Sequence, residues 1–229
     1  MPDPLRPEPA RPEPTKLVIA GAGGWGLEAL WVARAMNAAG TAQWDILGFA
    51  DDRSGAAGGE HYGTPVLCSI PAITDMCGRE TLVFLAVGDN RVRRDLAASL
   101  ERQGVRFATL IHPRAELAED VVVGEGSYVG PFATLAPECK VGRHVMVNIH
   151  AIVGHEVAVG DFSQLAPGAV VTGACMLGEG VFVGANASLH PGRRLGDYSV
   201  VAGNSFVVAD LEPRQTAMGI PARPVFQKK

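Results

Sequence analysis

VGEGSY VGPFAT LAPECK VGRHVM VNIHAI VGHEVA, residues 123–158, repeats one pattern every six residues. The same register runs from residue 117 to residue 212 as 16 blocks, each of which begins with Leu or Val. Position two is Gly in eight blocks and Ala in four, and position five is small or Val in 14. Because an α-helix turns every 3.6 residues, a period of six excludes a helix over this half of the chain.

A six-residue period predicts short strands joined by tight turns and stacked as a parallel β-helix. Three blocks close one triangular coil of about 18 residues. The aliphatic residue at position one then points inward, and the small residue at position five fills the space beside it. Cys139 and Cys175 both occupy position five, so they are predicted core residues.

Four polar residues fall at positions of the repeat that do not point inward. His144, His150 and Glu156 are at position four, and His155 is at position three. Core packing therefore does not explain the His155–Glu156 pair, which is either an ordinary surface pair or a catalytic one. Imidazole accepts a proton near neutral pH, and a neighbouring carboxylate can orient its ring. Since neighbours in a strand point opposite ways, cooperation between the two requires a turn at 155–156.

Residues 15–114 alternate strands and helices instead. A strand at 16–20 leads into the turn GAGGWG and a helix through residue 37. Two strands are predicted at 44–52 and 81–90, and a helix at 91–104 and a last strand at 106–112 follow them. This alternation predicts a small parallel sheet. Ligands of such sheets bind outside the carboxyl ends of the strands, where GAGGWG, the Asp51–Asp52 pair and the GDN at 88–90 all fall.

The Gly-rich turn is a candidate diphosphate site, because its backbone N–H groups and the following helix N-terminus can face an anion. The alternative is a tight strand-to-helix turn without a ligand. A dehydrogenase is disfavoured because this domain is short and a β-helix follows it.

Composition excludes several other classes. The net charge of -4 favours neither a nucleic acid nor an anionic membrane as partner, and no apolar run approaches the roughly 20 residues that span a bilayer. The tail at 1–14 alternates Pro with charge, so it is expected to be disordered and not a signal peptide. Of the four cysteines none forms a C-x-x-C pair, which favours reduced thiols in a cytoplasmic protein.

The order of the motifs along the chain resembles that of a known family. The motifs are the Gly-rich turn, the Asp pair, the GDN, a hexapeptide repeat with His155–Glu156 near its middle, and the closing GIPAR at 219–223. The family is that of the bacterial nucleotide-sugar acetyltransferases of the bacillosamine and perosamine pathways, with the sialic acid O-acetyltransferases as close relatives. The resemblance covers roughly residues 15–226. It implies a Rossmann-like nucleotide-sugar-binding domain at 15–114, and a left-handed β-helix for acetyl-CoA binding and catalysis with a C-terminal tail at 115–229.

The resemblance also implies an activity: transfer of acetyl from acetyl-CoA to the amino group of a nucleotide-linked amino sugar, without a metal, for bacterial surface glycan synthesis. The enzyme would be a homotrimer with its active sites between subunits. His155 would be the general base and Glu156 its partner. The substrate-binding residues would be Gly21, Gly23, Gly24, Trp25, Asp51, Asp52 and Asn148. The cofactor-binding residues would be Gln164, Gly168, Gly184, Pro221, Ala222 and Arg223.

Two positions depart from the family pattern. Trp25 stands where the turn often carries a histidine, and Gln164 stands where a histidine often follows nine residues after the catalytic one. The block LHPGRR at 189–194 also breaks the repeat and is predicted to bulge outward, either as a loop that contacts CoA phosphates through Arg193 or Arg194 or as a simple bulge.

Three alternatives stay open. The acceptor could be a sugar hydroxyl, as in sialic acid O-acetylation, or the chain could be a non-catalytic nucleotide-binding trimeric scaffold. His150 and His155 also resemble the zinc pair of γ-class carbonic anhydrases. A third histidine is then expected two coils upstream, at position 114, where the chain has Arg114.

Overall fold

The computed structural model of the protein describes residues 14–53 and 58–225. The tail that is predicted to be disordered lies outside the described residues except for Pro14, and so do residues 226–229. No helix among the described residues is long and apolar enough to cross a membrane.

The N-terminal domain is a sheet with helices on both faces, as the alternating pattern predicts. Its elements are β1 Thr15–Ala20, α1 Gly24–Ala39, β2 Trp44–Ala50, β3 Glu60–His61, β4 Thr64–Cys68, a 3₁₀ turn at Ile70–Ala72, α2 Ile73–Cys77, β5 Leu82–Leu85, α3 Asn90–Arg102 and β6 Arg106–Phe107. The described strands lie in the order β3-β4-β2-β1-β5-β6. All their pairings are parallel except that of β3 with β4. The carboxyl ends of β1, β2 and β5 therefore share one edge of the sheet.

The second domain is a left-handed parallel β-helix with three faces. We call the first the covered face: β7 Leu110–Ile111, β10 Tyr128–Val129, β13 Met146–Val147, β16 Gln164–Leu165, β19 Phe182–Val183 and β22 Val200–Val201. The second, which we call the uncharged face because its outward residues after Glu116 carry no charge, consists of β8 Glu116–Leu117, β11 Thr134–Leu135, β14 Ile152–Val153, β17 Val170–Val171, β20 Ser188–Leu189 and β23 Phe206–Val207. The third face is β9 Val122–Val123, β12 Lys140–Val141, β15 Ala158–Val159, β18 Met176–Leu177 and β21 Arg194–Leu195.

Three corners join these faces. The first corner lies between the covered and uncharged faces and includes residues 148–150. The second corner lies between the uncharged and third faces and includes residues 155–156. The third corner lies between the third and covered faces and includes residues 143–144 and 161–162. A hairpin of β24 Thr216–Gly219 and β25 Ala222–Val225 extends the covered face at its C-terminal end.

The inward positions of the repeat are those that the sequence predicts. Residues at positions one and five form one buried cluster along the β-helix axis, and Cys139 and Cys175 are both fully buried within it. The predicted bulge at 189–194 is wrong, because β20 and β21 keep the register and Gly192 takes the left-handed turn with φ 73°. Arg193 avoids the core by reaching Asp210, 3.4 Å away.

The predicted strand at 106–112 is two strands. β6 ends the N-terminal sheet, and β7 pairs with β10 as the first strand of the covered face. Helix α1 packs between the two domains: the Trp25 ring lies 5.5 Å from that of Tyr128, and the Trp31 ring lies 5.4 Å from that of His112. The covered face is therefore named for the N-terminal domain that lies on it.

Candidate active site

The Gly-rich turn forms an open anion cradle at the end of β1. Gly21 has φ 110°, and a Cβ there would lie 2.6 Å from the Ala86 carbonyl oxygen, so the turn requires glycine at this position. Gly23 and Gly24 have free space on the side where a Cβ would point. Helix α1 begins at Gly24 with no side-chain cap and no acidic residue in its first turn. Its first N–H groups are thus available to a bound anion.

Asp51 braces this turn from the end of β2. Its Oδ2 accepts from the Ala22 N–H at 2.7 Å, and its carboxylate also accepts from the Arg53 backbone and guanidinium. The Arg53 guanidinium is the main cause that lowers the pKa of Asp51 to about 2. Asp52 is engaged elsewhere, since its Oδ1 accepts from the Ile70 N–H at 2.7 Å. In this structure both carboxylates hold the protein's own backbone.

A cleft of about 430 Å³ opens where these strand ends meet. Its lining includes the predicted residues Gly21, Gly23, Asp51 and Asp52, together with Ala86, Val87, Val92 and Leu96. The sequence reasoning missed Arg53, which also lines it and whose side chain is 62% exposed. Its position two residues after Asp51 in a strand-end motif is the signal that could have found it. The cleft combines an uncapped helix N-terminus and an exposed cation, which suits a phosphorylated ligand.

Trp25 does not point freely into this cleft. Its ring packs edge-on against Tyr128 of the covered face and beside Gly88, where a Cβ would lie 3.1 Å from the indole. Helix α3, unlike α1, has a side-chain cap, because Asp89 accepts from the N–H groups of Arg91 and Val92. Of these two helix N-termini at the strand ends, α1 alone is left uncapped by a side chain.

His155 and Glu156 form a hydrogen-bonded pair on the second corner. Residues 155–156 form the turn that the sequence requires, with Glu156 at φ 59°. Nδ1 of His155 lies 2.9 Å from Oε2 of Glu156, and the two side chains are 65% and 59% exposed. Because a carboxylate only accepts, Nδ1 carries the proton and Nε2 is left as the free acceptor. The ring lies against Gly173 of the next coil, where a Cβ would overlap it.

The two position-four histidines are differently placed. His150, on the first corner, stacks on Phe132 with ring centroids 5.0 Å apart. His144, on the third corner, does not enter the β-helix core, yet it is fully buried because the N-terminal domain covers that corner. It lies between Phe107 and Phe162 with both ring nitrogens unpartnered. Burial lowers the pKa of His144 to about 4.

The residues predicted for the sugar and for CoA lie on several parts of the prism. Asn148 is on the first corner, nearly buried, with its Oδ1 2.6 Å from the Ile149 N–H. Gly168 and Gly184 are on the same corner: Gly168 takes the left-handed turn at φ 68°, and Gly184 lies against the backbone of the next coil. Gln164 is on the covered face, buried, and its Oε1 has no hydrogen-bond partner. Pro221, Ala222 and Arg223 are in the terminal hairpin.

Within one chain the structure thus brings together the cleft residues, and separately His155 with Glu156, but not the two groups. The second corner lies opposite the covered face on a three-sided prism. His150 and His155 are likewise on different corners, and no group of three or more His, Cys, Asp or Glu among the described residues is arranged to hold a metal ion.

Comparison with known proteins identifies what this architecture resembles. Residues 16–100 match the PglD N-terminal domain. The GDP-perosamine N-acetyltransferase of Escherichia coli O157:H7 is 26% identical over 69 residues, which are 30% of this chain and 31% of that protein. The UDP-N-acetylbacillosamine N-acetyltransferase of Bacillus subtilis (strain 168) is 42% identical over 50 residues, 22% of this chain and 23% of that protein. The alignments therefore span under a third of these curated relatives.

Solved structures extend the likeness over both domains. The acetyltransferase domain of PglB from Neisseria gonorrhoeae FA1090, in complex with acetyl coenzyme A, has a TM-score of 0.85 at 27% identity and covers 93% of this chain and 100% of that chain. A variant of perosamine N-acetyltransferase from Caulobacter crescentus, in complex with CoA and GDP-perosamine, has a TM-score of 0.81 at 26% identity and covers 93% and 97%.

The fold and the site define the chain as a left-handed β-helix protein of the hexapeptide-repeat class with a PglD-type N-terminal domain. Within that class it resembles the nucleotide-sugar N-acetyltransferases of the perosamine and bacillosamine type, which confirms the resemblance drawn from the sequence.

Proposed function

We propose that the protein is an acetyltransferase that moves acetyl from acetyl-CoA to the amino group of a nucleotide-linked amino sugar, with His155 as general base. The observation that carries this proposal is the exposed His155–Glu156 pair, whose 2.9 Å contact leaves Nε2 free on the surface of the β-helix. Surface His–Glu pairs are common, but this pair lies on a fold that is shared with proteins whose structures contain acetyl coenzyme A or CoA.

The nucleotide would bind in the cleft of the N-terminal domain. Its diphosphate would face the uncapped N-terminus of α1 and the open side of Gly23 and Gly24, and the Arg53 guanidinium would approach from the cleft mouth. Asp51 would act mainly by holding this turn through Ala22. Asp52 would contact the nucleoside only after releasing the Ile70 N–H.

The chemistry needs one proton acceptor and no covalent acyl-enzyme. The sugar amine attacks the thioester carbonyl carbon, and its proton passes to Nε2 of His155 as the tetrahedral intermediate forms. Glu156 stabilises the resulting imidazolium through Nδ1–H. Collapse of the intermediate forms the amide and breaks the C–S bond, and the imidazolium returns the proton to the departing CoA thiolate. Direct transfer in a ternary complex of protein, acetyl-CoA and amino sugar therefore needs no further reactant.

A homotrimer would complete the site. In one chain the cleft belongs to the N-terminal domain, Asn148 is on the first corner and His155 is on the second. The first and second corners are the two edges of the uncharged face, whose outward residues from Thr134 to Phe206 carry no charge. Side-by-side packing of prisms through this region would set the second corner of one subunit beside the cleft and first corner of the next.

The direct test is to incubate the purified protein with acetyl-CoA and a panel of UDP-, GDP- and dTDP-linked amino sugars. Free thiol is followed continuously, and the sugar product is weighed by mass spectrometry. Thiol release that depends on one sugar, with a product heavier by one acetyl group on nitrogen, supports the proposal. Acetyl on a hydroxyl would reassign the acceptor class. Binding of nucleotide sugars without any thiol release would identify a non-catalytic scaffold.

A further inference from the structure

Arg93 of α3 is a buried cation without a carboxylate partner. The residue is 0% exposed, and its guanidinium donates to five oxygens of two domains. Within its own domain the acceptors are the carbonyls of Val87 at 2.7 Å and Gly88 at 3.4 Å, and Oδ1 of Asn90 at 3.0 Å. On the third corner of the β-helix the acceptors are the carbonyls of His144 at 3.1 Å and Phe162 at 2.7 Å.

These carbonyls depend on Arg93. Among the described residues no backbone N–H donates to any of the four, so the guanidinium satisfies groups that would otherwise be orphaned at the domain boundary. Burial lowers the pKa of Arg93 to about 10, which still leaves it charged at neutral pH. A planar group with five donors in a fixed fork fits this set, whereas the three donors of a lysine ammonium do not.

Residues 87–90, the segment held by Arg93, border the nucleotide cleft at Val87, and we call them the 87–90 wall. Val87 lines the cleft, and Gly88 touches Trp25 at the start of α1. Asn90 adds a second tie to the β-helix, because its Nδ2 donates to the Gly180 carbonyl at 3.0 Å. The 87–90 wall is thereby fixed to corner turns of three successive coils.

We propose that Arg93 is a positioning residue that fixes the 87–90 wall, which borders the nucleotide cleft at Val87, on the third corner of the β-helix, and so holds a bound nucleotide sugar in register with the transfer site. This inference rests on the proposed function for its substrate. Arg93 touches neither substrate nor acetyl-CoA in this scheme, and it acts through Val87, Gly88 and Asn90.

The test compares Arg93→Lys and Arg93→Met with Arg143→Met. Arg143 lies on the same corner and pairs with Glu101 of the same helix, but it is exposed and does not touch the 87–90 wall. The KM for the nucleotide sugar is expected to rise roughly tenfold in both Arg93 variants, with the KM for acetyl-CoA within about twofold of wild type. Arg143→Met should change neither. Equal rises in both KM values, or a lower Tm with an unchanged nucleotide-sugar KM, would reduce Arg93 to a structural residue.

A second readout does not depend on acetyl transfer. Calorimetric titration with UDP, GDP and dTDP should show the same loss of affinity in the Arg93 variants, together with faster hydrogen exchange at residues 87–90. Wild-type binding without acetyl transfer would overturn the proposed activity while still testing Arg93. Absence of nucleotide binding to wild type would overturn this inference. If the Arg93 variants fail to fold, Asn90→Ala removes one acceptor and one tie, and roughly threefold weaker binding is expected, whereas unchanged binding would contradict the role.

Discussion

The second and third corners of the β-helix use the same turn of the same repeat, yet their histidines have opposite environments. His155 is 65% exposed beside Glu156, whereas His144 is fully buried between Phe107 and Phe162 without a partner for either ring nitrogen. The backbone is alike, with positive φ at His144 and at Glu156. The histidines occupy neighbouring positions of the turn, four for His144 and three for His155, and the N-terminal domain covers the third corner and leaves the second free. The repeat sets where a side chain leaves the coil, and domain docking sets what that side chain can do.

The largest expected effect is at the exposed corner. His155→Ala removes the proposed base and should lower kcat for acetyl transfer by about 100- to 10,000-fold. Because the side chain is mostly exposed, the free energy of unfolding should change by no more than about 0.5 kcal/mol. Steady-state kinetics and urea denaturation measure the two quantities. His61→Ala, at an exposed histidine of the N-terminal domain, is the control, and retained activity in His155→Ala would remove the base from the mechanism.

The buried corner should respond to pH in its stability. The folded pKa of His144 is about 4, below the unfolded value of about 6.5, so the unfolded state binds more protons between these values. The protein is therefore expected to lose about 3 kcal/mol of its free energy of unfolding as pH falls from 7 to 4, through this residue alone.

His144→Phe keeps a ring between the two phenylalanines and cannot be protonated. The difference in unfolding free energy between wild type and this variant, measured by denaturant at several pH values, isolates the effect from that of His112, whose pKa is also lowered by burial. Asp51, with its pKa of about 2, acts only below this window. Parallel curves for the two proteins would mean that His144 is not buried as described.

A smaller effect should follow from Gly173→Ala, which disturbs the exposed corner without replacing His155. The new Cβ would overlap the imidazole, and the exposed ring can move aside only by leaving Glu156. Activity should fall roughly 10-fold, while thermal stability stays near that of wild type because Gly173 has an ordinary φ. Gly192→Ala, in the left-handed region three blocks later, should show the reverse, with lower stability and little direct effect on the pair. An unchanged rate in Gly173→Ala would show that the paired ring position is not the reactive one.

The smallest effect is expected where the domain boundary is exposed. Arg94 pairs with Asp95 and Glu179 and donates to the Tyr198 hydroxyl, yet its side chain is 43% exposed. Arg94→Ala should lower the free energy of unfolding only slightly, because solvent screens these exposed ion pairs. Denaturation at low and high salt checks this, since the loss should shrink as salt is added. A loss of unfolding free energy as large as that expected for a buried residue would show that the domain boundary at Arg94 is more buried than described.

Much of the fold could be predicted because the repeat is local. Positions one and five of the repeat predict which side chains enter the core. The turn at 155–156 could be predicted because His155 and Glu156 must lie on one side to cooperate. The bulge predicted at 189–194 failed because Arg193 can swing outward to Asp210 while Gly192 keeps the turn. A side chain at the margin of a coil can escape the core without moving the backbone.

The site was predicted less completely, since its decisive contacts join distant parts of the chain. The burial of His144 and the role of Arg93 depend on docking of α3 against the third corner, which no periodicity within either domain records. Arg53 was missed because its importance comes from the orientation of its guanidinium across the cleft mouth towards Asp51. By contrast, the sequence predicts that the cleft residues at the three strand ends lie close together, because parallel strands bring their carboxyl ends to one edge of the sheet.

The coil geometry has a consequence for how the chain is made. Contacts between neighbouring coils join residues 18 apart, as in the bond from the Arg143 N–H to Asp161. A nascent chain therefore completes each coil soon after its residues leave the ribosome, on a platform that already exists. The N-terminal domain is finished by residue 107, and Leu110 of the first coil already packs in its core. The order of translation is thus also the order of assembly, with the older domain serving as the template for the younger one.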